Sequence, residues 1–190
     1  MRIGVLALQG AFAEHIAILR QLEVDTVPVR LPHQIAGLDG LIIPGGESTS
    51  ISRLMLSYDL ISEIRDLAEN GLPILGTCAG MILLASEIPD AGIAPMGVMG
   101  IRVRRNAFGR QKDSFETELL IPVLGKKPFP GIFIRAPVIE QANSGVAIIA
   151  RLADNTIVAA RQKKLLACAF HPELTDDLRF HRYFLNIVAG

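Results

Sequence analysis

Two short stretches hold residues whose types and spacing could do covalent chemistry. In Gly76-Thr77-Cys78-Ala79-Gly80 a cysteine has a glycine two residues to either side. The stretch lies between the apolar run Pro73-Ile74-Leu75 and the helix-forming Met81-Ile82-Leu83-Leu84. That pattern marks a nucleophile elbow, a sharp strand-to-helix turn. Such a turn lifts the thiol above the carboxyl edge of a sheet, where α/β proteins bind ligands. It also sets the sulfur at a helix N-terminus, which favours thiolate over thiol. The backbone N–H of Ala79 is then aimed at the place where an oxyanion would form. The alternative is a buried structural cysteine in a glycine-flanked turn.

A thiolate that attacks an acyl carbon needs a base, and the base needs an orienting acceptor. Of the four histidines, His15 falls on the polar side of a first helix, His33 in a turn and His181 in a last helix. His171 alone follows an apolar strand directly, at the end of Leu165-Leu166-Ala167-Cys168-Ala169-Phe170. If that strand is parallel to the one before Cys78, both ends open onto one edge. Glu173 comes two residues later, and in extended backbone such positions share a side. Pro172 holds His171 out of the helical region. Glu173 is thus expected to reach the imidazole nitrogen that the thiol does not use. Cys168, among apolar strand neighbours, reads as core.

The third stretch is Pro44-Gly45-Gly46-Glu47-Ser48-Thr49, after a buried run and before a helical pattern. It could be an ordinary loop, with Ser48 or Thr49 capping the helix and Glu47 favoured by its dipole. Paired glycines also let backbone approach a substrate carbonyl closely. On that reading the peptide at Gly46 supplies a second oxyanion donor, and Glu47 is free to meet a substrate ammonium.

The elements that must position these residues alternate in the N-terminal half. Strands are expected at Arg2–Leu8, Asp25–Val29, Gly40–Ile43 and Pro73–Gly76. Helices are expected at Ala11–Leu22 (Phe12, Ile16 and Leu19 inward; Glu14, His15 and Arg20 outward), Ser48–Asn70 with a break near Ser57, and Ala79–Ser86. Gly40–Ile43 is continuously apolar, as a strand buried on both faces would be. This alternation predicts an α/β sheet with right-handed crossovers. After Pro95, strand patterns dominate: Val98–Arg104, Ser114–Ile121, Gly131–Ile134, Val146–Leu152, Thr156–Ala160 and Leu165–Phe170. Asp154-Asn155 is a turn signal, and a last helix covers about Asp176–Val188.

With 190 residues, half of them hydrophobic, the chain fits one domain, 1–190, with a sizeable core. Nineteen basic residues balance nineteen acidic ones, so no global field draws it to nucleic acid or an anionic membrane. A bunch at Arg102, Arg104, Arg105, Arg110 and Lys112 reads as a solvated strand and loop. Two cysteines make no disulfide framework, and no metal-type spacing occurs. No apolar run approaches membrane length. A cytoplasmic protein is expected.

In order and spacing, these stretches resemble those of class I (triad) glutamine amidotransferases. More narrowly, the chain resembles the glutaminase subunits of pyridoxal 5′-phosphate synthases over its whole length. The likeness includes Gly4-Val5-Leu6-Ala7-Leu8-Gln9-Gly10-Ala11 with Glu14-His15, the two glycine-rich stretches, and Arg105-Asn106-Ala107-Phe108-Gly109-Arg110-Gln111. It continues in Asp113-Ser114-Phe115-Glu116, Phe133-Ile134-Arg135-Ala136-Pro137 and Phe170-His171-Pro172-Glu173-Leu174-Thr175. Ala79 and Ile82 stand where most triad amidotransferases have a bulky residue and a glutamine, which favours the narrower family. Ala107 replaces that family's usual serine.

The resemblance implies a flavodoxin-like, three-layer sandwich around a mostly parallel twisted sheet with added antiparallel strands. It implies that Cys78 attacks the amide carbon of L-glutamine while His171, held by Glu173, relays the proton to departing ammonia. It further implies that Gly46, Glu47, Ser48, Arg105, Ile134 and Arg135 contact glutamine, with the Arg105 fork suited to the α-carboxylate. Gln9 would couple this chain to a (β/α)₈-barrel synthase subunit in a large hetero-oligomer. Pyridoxal 5′-phosphate is then the product of the complex, and this chain needs no cofactor. Two alternatives remain at this point. One is a cysteine peptidase of related fold, although such enzymes usually carry histidine where Ala79 stands. The other is a non-catalytic module that only binds and regulates a partner.

Overall fold

The computed structural model describes residues 1–89, 92–108 and 114–190. Arg110 and Lys112 of the basic bunch, and Gly109, Gln111 and Asp113 of the quoted strings, lie outside the described residues. Four parallel-type strands open the chain: β1 (Arg2–Leu6), β2 (Asp25–Val29), β3 (Gly40–Ile43) and β4 (Ile74–Thr77). Helix α1 (Phe12–Gln21) links the first pair, while α2 (Ser48–Ser57) and α3 (Leu60–Glu69) link β3 to β4. After β4 come α4 (Ala79–Leu84), β5 (Ala85–Glu87), β6 (Met99–Arg104) and β7 (Ser114–Leu119). Then follow β8 (Phe129–Ile134), β9 (Val138–Ala142), β10 (Ala147–Arg151), β11 (Ile157–Gln162), β12 (Leu165–Cys168) and α5 (Arg179–Ala189).

Among the described residues, ten strands form one sheet in the order β2-β1-β3-β4-β12-β11-β9-β6-β5, with β10 added beside β11, while β7 and β8 form a separate ribbon. The strands from β2 to β12 run parallel, and β12-β11-β9-β6 antiparallel. The expected mixed sheet is therefore present. Two strands went unseen: β9, and β5, which ends the helix after Cys78 earlier than its apolar pattern suggests.

The sheet is covered on both faces, as the glycines of β3 and α4 show. A Cβ on Gly40 would meet Val188 and Phe184 of α5, whereas one on Gly80 of α4 would collide with the Ile43 carbonyl and sit 3.2 Å from the Ile43 side chain. Gly40 and Ile43 point to opposite faces of a strand, so α5 and α4 lie on opposite sides and the fold has three layers. The central strands β3, β4 and β12 are buried at every position. Phe129, Phe170 and Phe180 pack against one another at 5.1–5.9 Å under the end of β12. Each such buried ring stabilises the fold by roughly 2–3 kcal/mol, so the backbone leading to His171 rests on rigid packing.

Candidate active site

β4 and β12 are adjacent and parallel, with Thr77 opposite Cys168. Their carboxyl ends therefore open side by side, as expected. Cys78 leaves β4 with φ 48° and ψ −101°, in the left-handed region that L residues avoid at roughly 1–3 kcal/mol. Its backbone N–H donates to the Cys168 carbonyl at 2.8 Å. Both flanking glycines are required by close approach, since a Cβ on Gly76 would sit 2.7 Å from the Gly80 carbonyl and one on Gly80 would strike Ile43. Cys78 is buried except for a sliver, 6% exposed, and Ala79 begins α4 behind it. Cys168 is fully buried, and burial, with the nearby Glu173 and Cys78, pushes its thiol well above the ordinary range. It is inert core, as its apolar neighbours suggested.

His171 follows β12 in extended backbone (φ −105°, ψ 86°), fixed by an N–H donated to the Ile132 carbonyl at 2.8 Å. Its Nδ1 lies 2.7 Å from Glu173 Oε1, which leaves Nε2 for Cys78. Local geometry differs from the expectation in one respect. Pro172–Leu174 is a 3₁₀ turn, so a tight turn rather than an extended segment brings Glu173 back to the ring. Burial pulls the His171 pKa down, but hydrogen bonds and attraction to Cys78 and Glu173 outweigh it and push it up to about 10.

A cleft of about 480 Å³ opens at this edge, lined by Gly46, Glu47, Ser48, Cys78, Ile82, Arg105, Asn106, Ser114, Ile134, Arg135 and His171. The volume suits a small-molecule ligand. Gly46, Glu47, Ser48, Arg105, Ile134 and Arg135 all line this wall with Cys78 and His171. Ala79, the other expected oxyanion donor, is not among its lining residues, and Glu173 stands behind His171. The β7–β8 ribbon brings in Ile134 and Arg135, whose φ is 45°. Gly45 is tight against the pair, since a Cβ there would collide with His171 Cε1 and lie 3.3 Å from Cys78 Cβ.

Glu47 combines two roles. It is itself the N-cap of α2, in place of Ser48 or Thr49, accepting from Thr49 N (3.0 Å), Ser50 N (2.7 Å) and Ser50 Oγ (2.6 Å). The Ser50 hydrogen bonds lead in lowering its pKa to about 2, against the opposing effect of burial. The same carboxylate lies 3.6 Å from Arg105 Nη2. Glu47 and Arg105 thus form an ion pair in the cleft wall, which puts a negative and a positive group side by side where the two ends of an amino acid could each meet a counter-charge. Arg102 and Arg104 instead pair with Glu140 across β6 and β9, at 3.3 and 2.6 Å, and read as surface. Gln9 does not line the cleft. Its Oε1 accepts from Glu47 N at 2.8 Å, while Ala11 N donates to the Gly45 carbonyl at 3.0 Å. The glycine loop is thus tied on both sides to the turn between β1 and α1.

His15 does not face solvent. It is fully buried, as is His181, and it touches Thr77, Glu173 and His181. A helical stripe His15-Ile18-Leu19-Leu22 was present in the sequence and would have placed it inward. Asn106, Ser114 and Ile82 were also missed as cleft residues, because they meet only when the ribbon folds over the sheet edge.

The profile of the SNO glutamine amidotransferase family matches residues 5–189. Pyridoxal 5′-phosphate synthase subunit PdxT of Herpetosiphon aurantiacus is 57% identical over 190 residues, covering 98% of this chain and all of that protein. The protein of the same name from Moorella thermoacetica is 56% identical, covering all of both chains. A crystal structure of a glutamine amidotransferase superposes with a TM-score of 0.93 at 47% identity, over 99% of each chain. The structure of PurLQS from Thermotoga maritima, at 15% identity and TM-score 0.70 over 97% of each chain, shares the fold.

Proposed function

The chain belongs to the SNO glutamine amidotransferase family, and from that premise we propose that it is the glutaminase subunit of a pyridoxal 5′-phosphate synthase. It hydrolyses L-glutamine to L-glutamate and ammonia, and the ammonia passes to a synthase subunit. The observation that carries this reading is one cleft lined by Cys78 and His171 together with the ion pair of Glu47 and Arg105.

Glutamine's α-carboxylate meets Arg105 and Arg135, and its ammonium meets Glu47. Its side chain runs past Gly46, Ser48 and Ile134 toward the sulfur. The Cys78 sulfur attacks the amide carbon, and the oxyanion is received by backbone N–H groups of Gly46 and Ala79. His171 gives its proton to the departing nitrogen, so ammonia leaves and a γ-glutamyl thioester remains. The same imidazole then takes a proton from water, whose oxygen attacks the thioester and releases glutamate. Glu173 holds the ring and balances its charge throughout. No step calls on a cofactor, and pyridoxal 5′-phosphate is the product of the complex.

The synthase partner is a (β/α)₈ barrel in a large hetero-oligomer, docked near Gln9. The bonds from Gln9 and Ala11 to the Gly45–Glu47 backbone support this, because movement of the β1–α1 turn would shift the oxyanion donor at Gly46. Among the described residues no helix is long and apolar enough to cross a membrane, and the free thiols Cys78 and Cys168 suit the reducing cytoplasm. The test is glutaminase activity of the isolated chain, then with excess synthase subunit. Losing one oxyanion donor lowers rate by roughly 10²–10³, so a rise of that size on adding the partner is expected. Equal rates would rule out partner control of the Gly46 donor, and no hydrolysis in either condition would refute the function.

A further inference from the structure

Behind the triad lies a buried polar cluster. Glu173 Oε1 is taken by His171, while its Oε2 lies 3.3 Å from His15 Nε2. His15 Nε2 is also 3.2 Å from Thr77 Oγ1, and its Nδ1 is 2.9 Å from His181 Nε2. The Oε2 contact lies outside hydrogen-bond geometry: His15 Nε2 is hydrogen-bonded to Thr77 Oγ1, and Oε2 has no hydrogen-bond partner among the described residues.

The protons in this cluster can be assigned. A carboxylate oxygen facing Nε2 of His15 requires hydrogen there, since two lone pairs would repel. Burial, followed by the nearby His181 and His171, holds the His15 pKa well below its usual value, so the ring is neutral and carries one hydrogen only. Nδ1 must then accept, and the donor is the Nε2–H of His181, which burial keeps neutral with a pKa of about 4. The remaining atom, His181 Nδ1, is an acceptor without a partner. The opposite tautomers would bury an unpaired N–H there, which is more costly than an unpaired acceptor.

We propose that His15, with its tautomer set by His181, is a positioning residue that holds Glu173 from the side opposite His171. The inference rests on the glutaminase reading. A carboxylate gripped on one oxygen only can rotate within its buried site, and His171 would turn with it. His15 packed 3.3 Å from the second oxygen blocks that rotation, which keeps the imidazole at the distance and angle that proton transfer needs. Because His15 meets no part of the cleft, its effect should fall on the chemical step alone.

The test uses His15→Gln and His15→Asn in complex with the synthase subunit. A glutamine amide nitrogen reaches about where Nε2 lies and can still contact Glu173. An asparagine amide reaches only the Nδ1 position. His15→Asn should lower kcat by roughly 10–10², the effect of a small misplacement, with KM unchanged, and His15→Gln should recover most of that loss. In a Glu173→Gln background His15→Asn should cost nothing further. Should His15→Asn not fold, His181→Leu, which frees the tautomer, should lower kcat in the wild-type background and not beside Glu173→Gln. Equal losses in the two His15 variants, a loss carried by KM, or a loss that persists beside Glu173→Gln would each overturn the proposal. An inactive wild-type complex would instead overturn the glutaminase reading on which it rests.

Discussion

The ends of β4 and β12 lie side by side in one sheet, yet they deliver their reactive residues in opposite ways. β4 turns at once, and Cys78 sits at φ 48°. Beyond β12 the chain runs on through Ala169 and Phe170 before His171, over the ring cluster of Phe129, Phe170 and Phe180. Thr77 is opposite Cys168 in register, so two cysteines one step apart on neighbouring strands have opposite fates. One is thrown into the cleft by a strained turn, and the other is sealed in the core. A nucleophile needs projection, which strain supplies. A base needs a fixed distance, which packing supplies.

The comparison breaks most visibly at the cysteines. Cys78→Ser should remove hydrolysis, on the order of the 10⁶-fold loss seen when a triad nucleophile is deleted, while the melting temperature holds. Cys168→Ser should keep most of the rate, because a hydroxyl can take over the bond of Sγ to the Phe170 carbonyl. An essential Cys168 and a dispensable Cys78 would refute the assignment. Next in size is Glu173→Gln, which keeps shape but removes the charge that stabilises the imidazolium. A loss of about 10⁴ in kcat is the measure from the serine protease triad, with KM little changed. Full activity would leave His171 acting with Cys78 alone.

Gly45→Ala sharpens the point about distance. Its Cβ would collide with His171 Cε1 and lie 3.0 Å from Nδ1, so the ring must move. A misplacement of about 1 Å lowers rate by on the order of 10², and kcat should fall by that much in steady-state assays. An unchanged kcat would show that the ring has slack.

The smallest effect concerns stability in acid. His181 has its pKa lowered to about 4 and His15 has its pKa well below the usual value, both chiefly through burial. Between pH 6.5 and about 4 the unfolded chain binds protons at these positions and the folded chain does not. Stability should therefore fall with falling pH across that window, by up to about 1.4 kcal/mol per pH unit for each ring. Urea titrations at stepped pH measure the slope, and His181→Leu should make it shallower. His171 goes the other way. With its pKa raised to about 10, its contribution is whole below pH 6.5, fades as pH rises above that and is gone once pH passes 10. An acid slope unchanged by His181→Leu would show that the buried pair does not titrate as its surroundings require.

Much of this was legible in the residues. The elbow around Cys78 could be read because local sterics dictate it. Glycines at 76 and 80 are needed wherever the chain turns that sharply against a neighbouring strand. The parallel half could be read because each strand and helix there shows its own period. His15 was misread because one polar side chain on a short helix gives no sign of what packs over it, although the stripe it begins was visible. β5 and β9 were missed because short strands at the antiparallel edge take their identity from partners far along the chain.

The sequence by itself determined the sharp turn at Cys78, since backbone sterics over a few residues impose it, and set His171 at a strand end with Glu173 two residues on. Only the tertiary structure decided that Glu47 caps α2 while facing Arg105, that Gln9 ties the glycine loop to the β1–α1 turn, and that Glu173 is met by His15. Those contacts join residues 38 to 158 positions apart in the chain. Their geometry is set by how the sheet stacks its helices, and no local pattern encodes that.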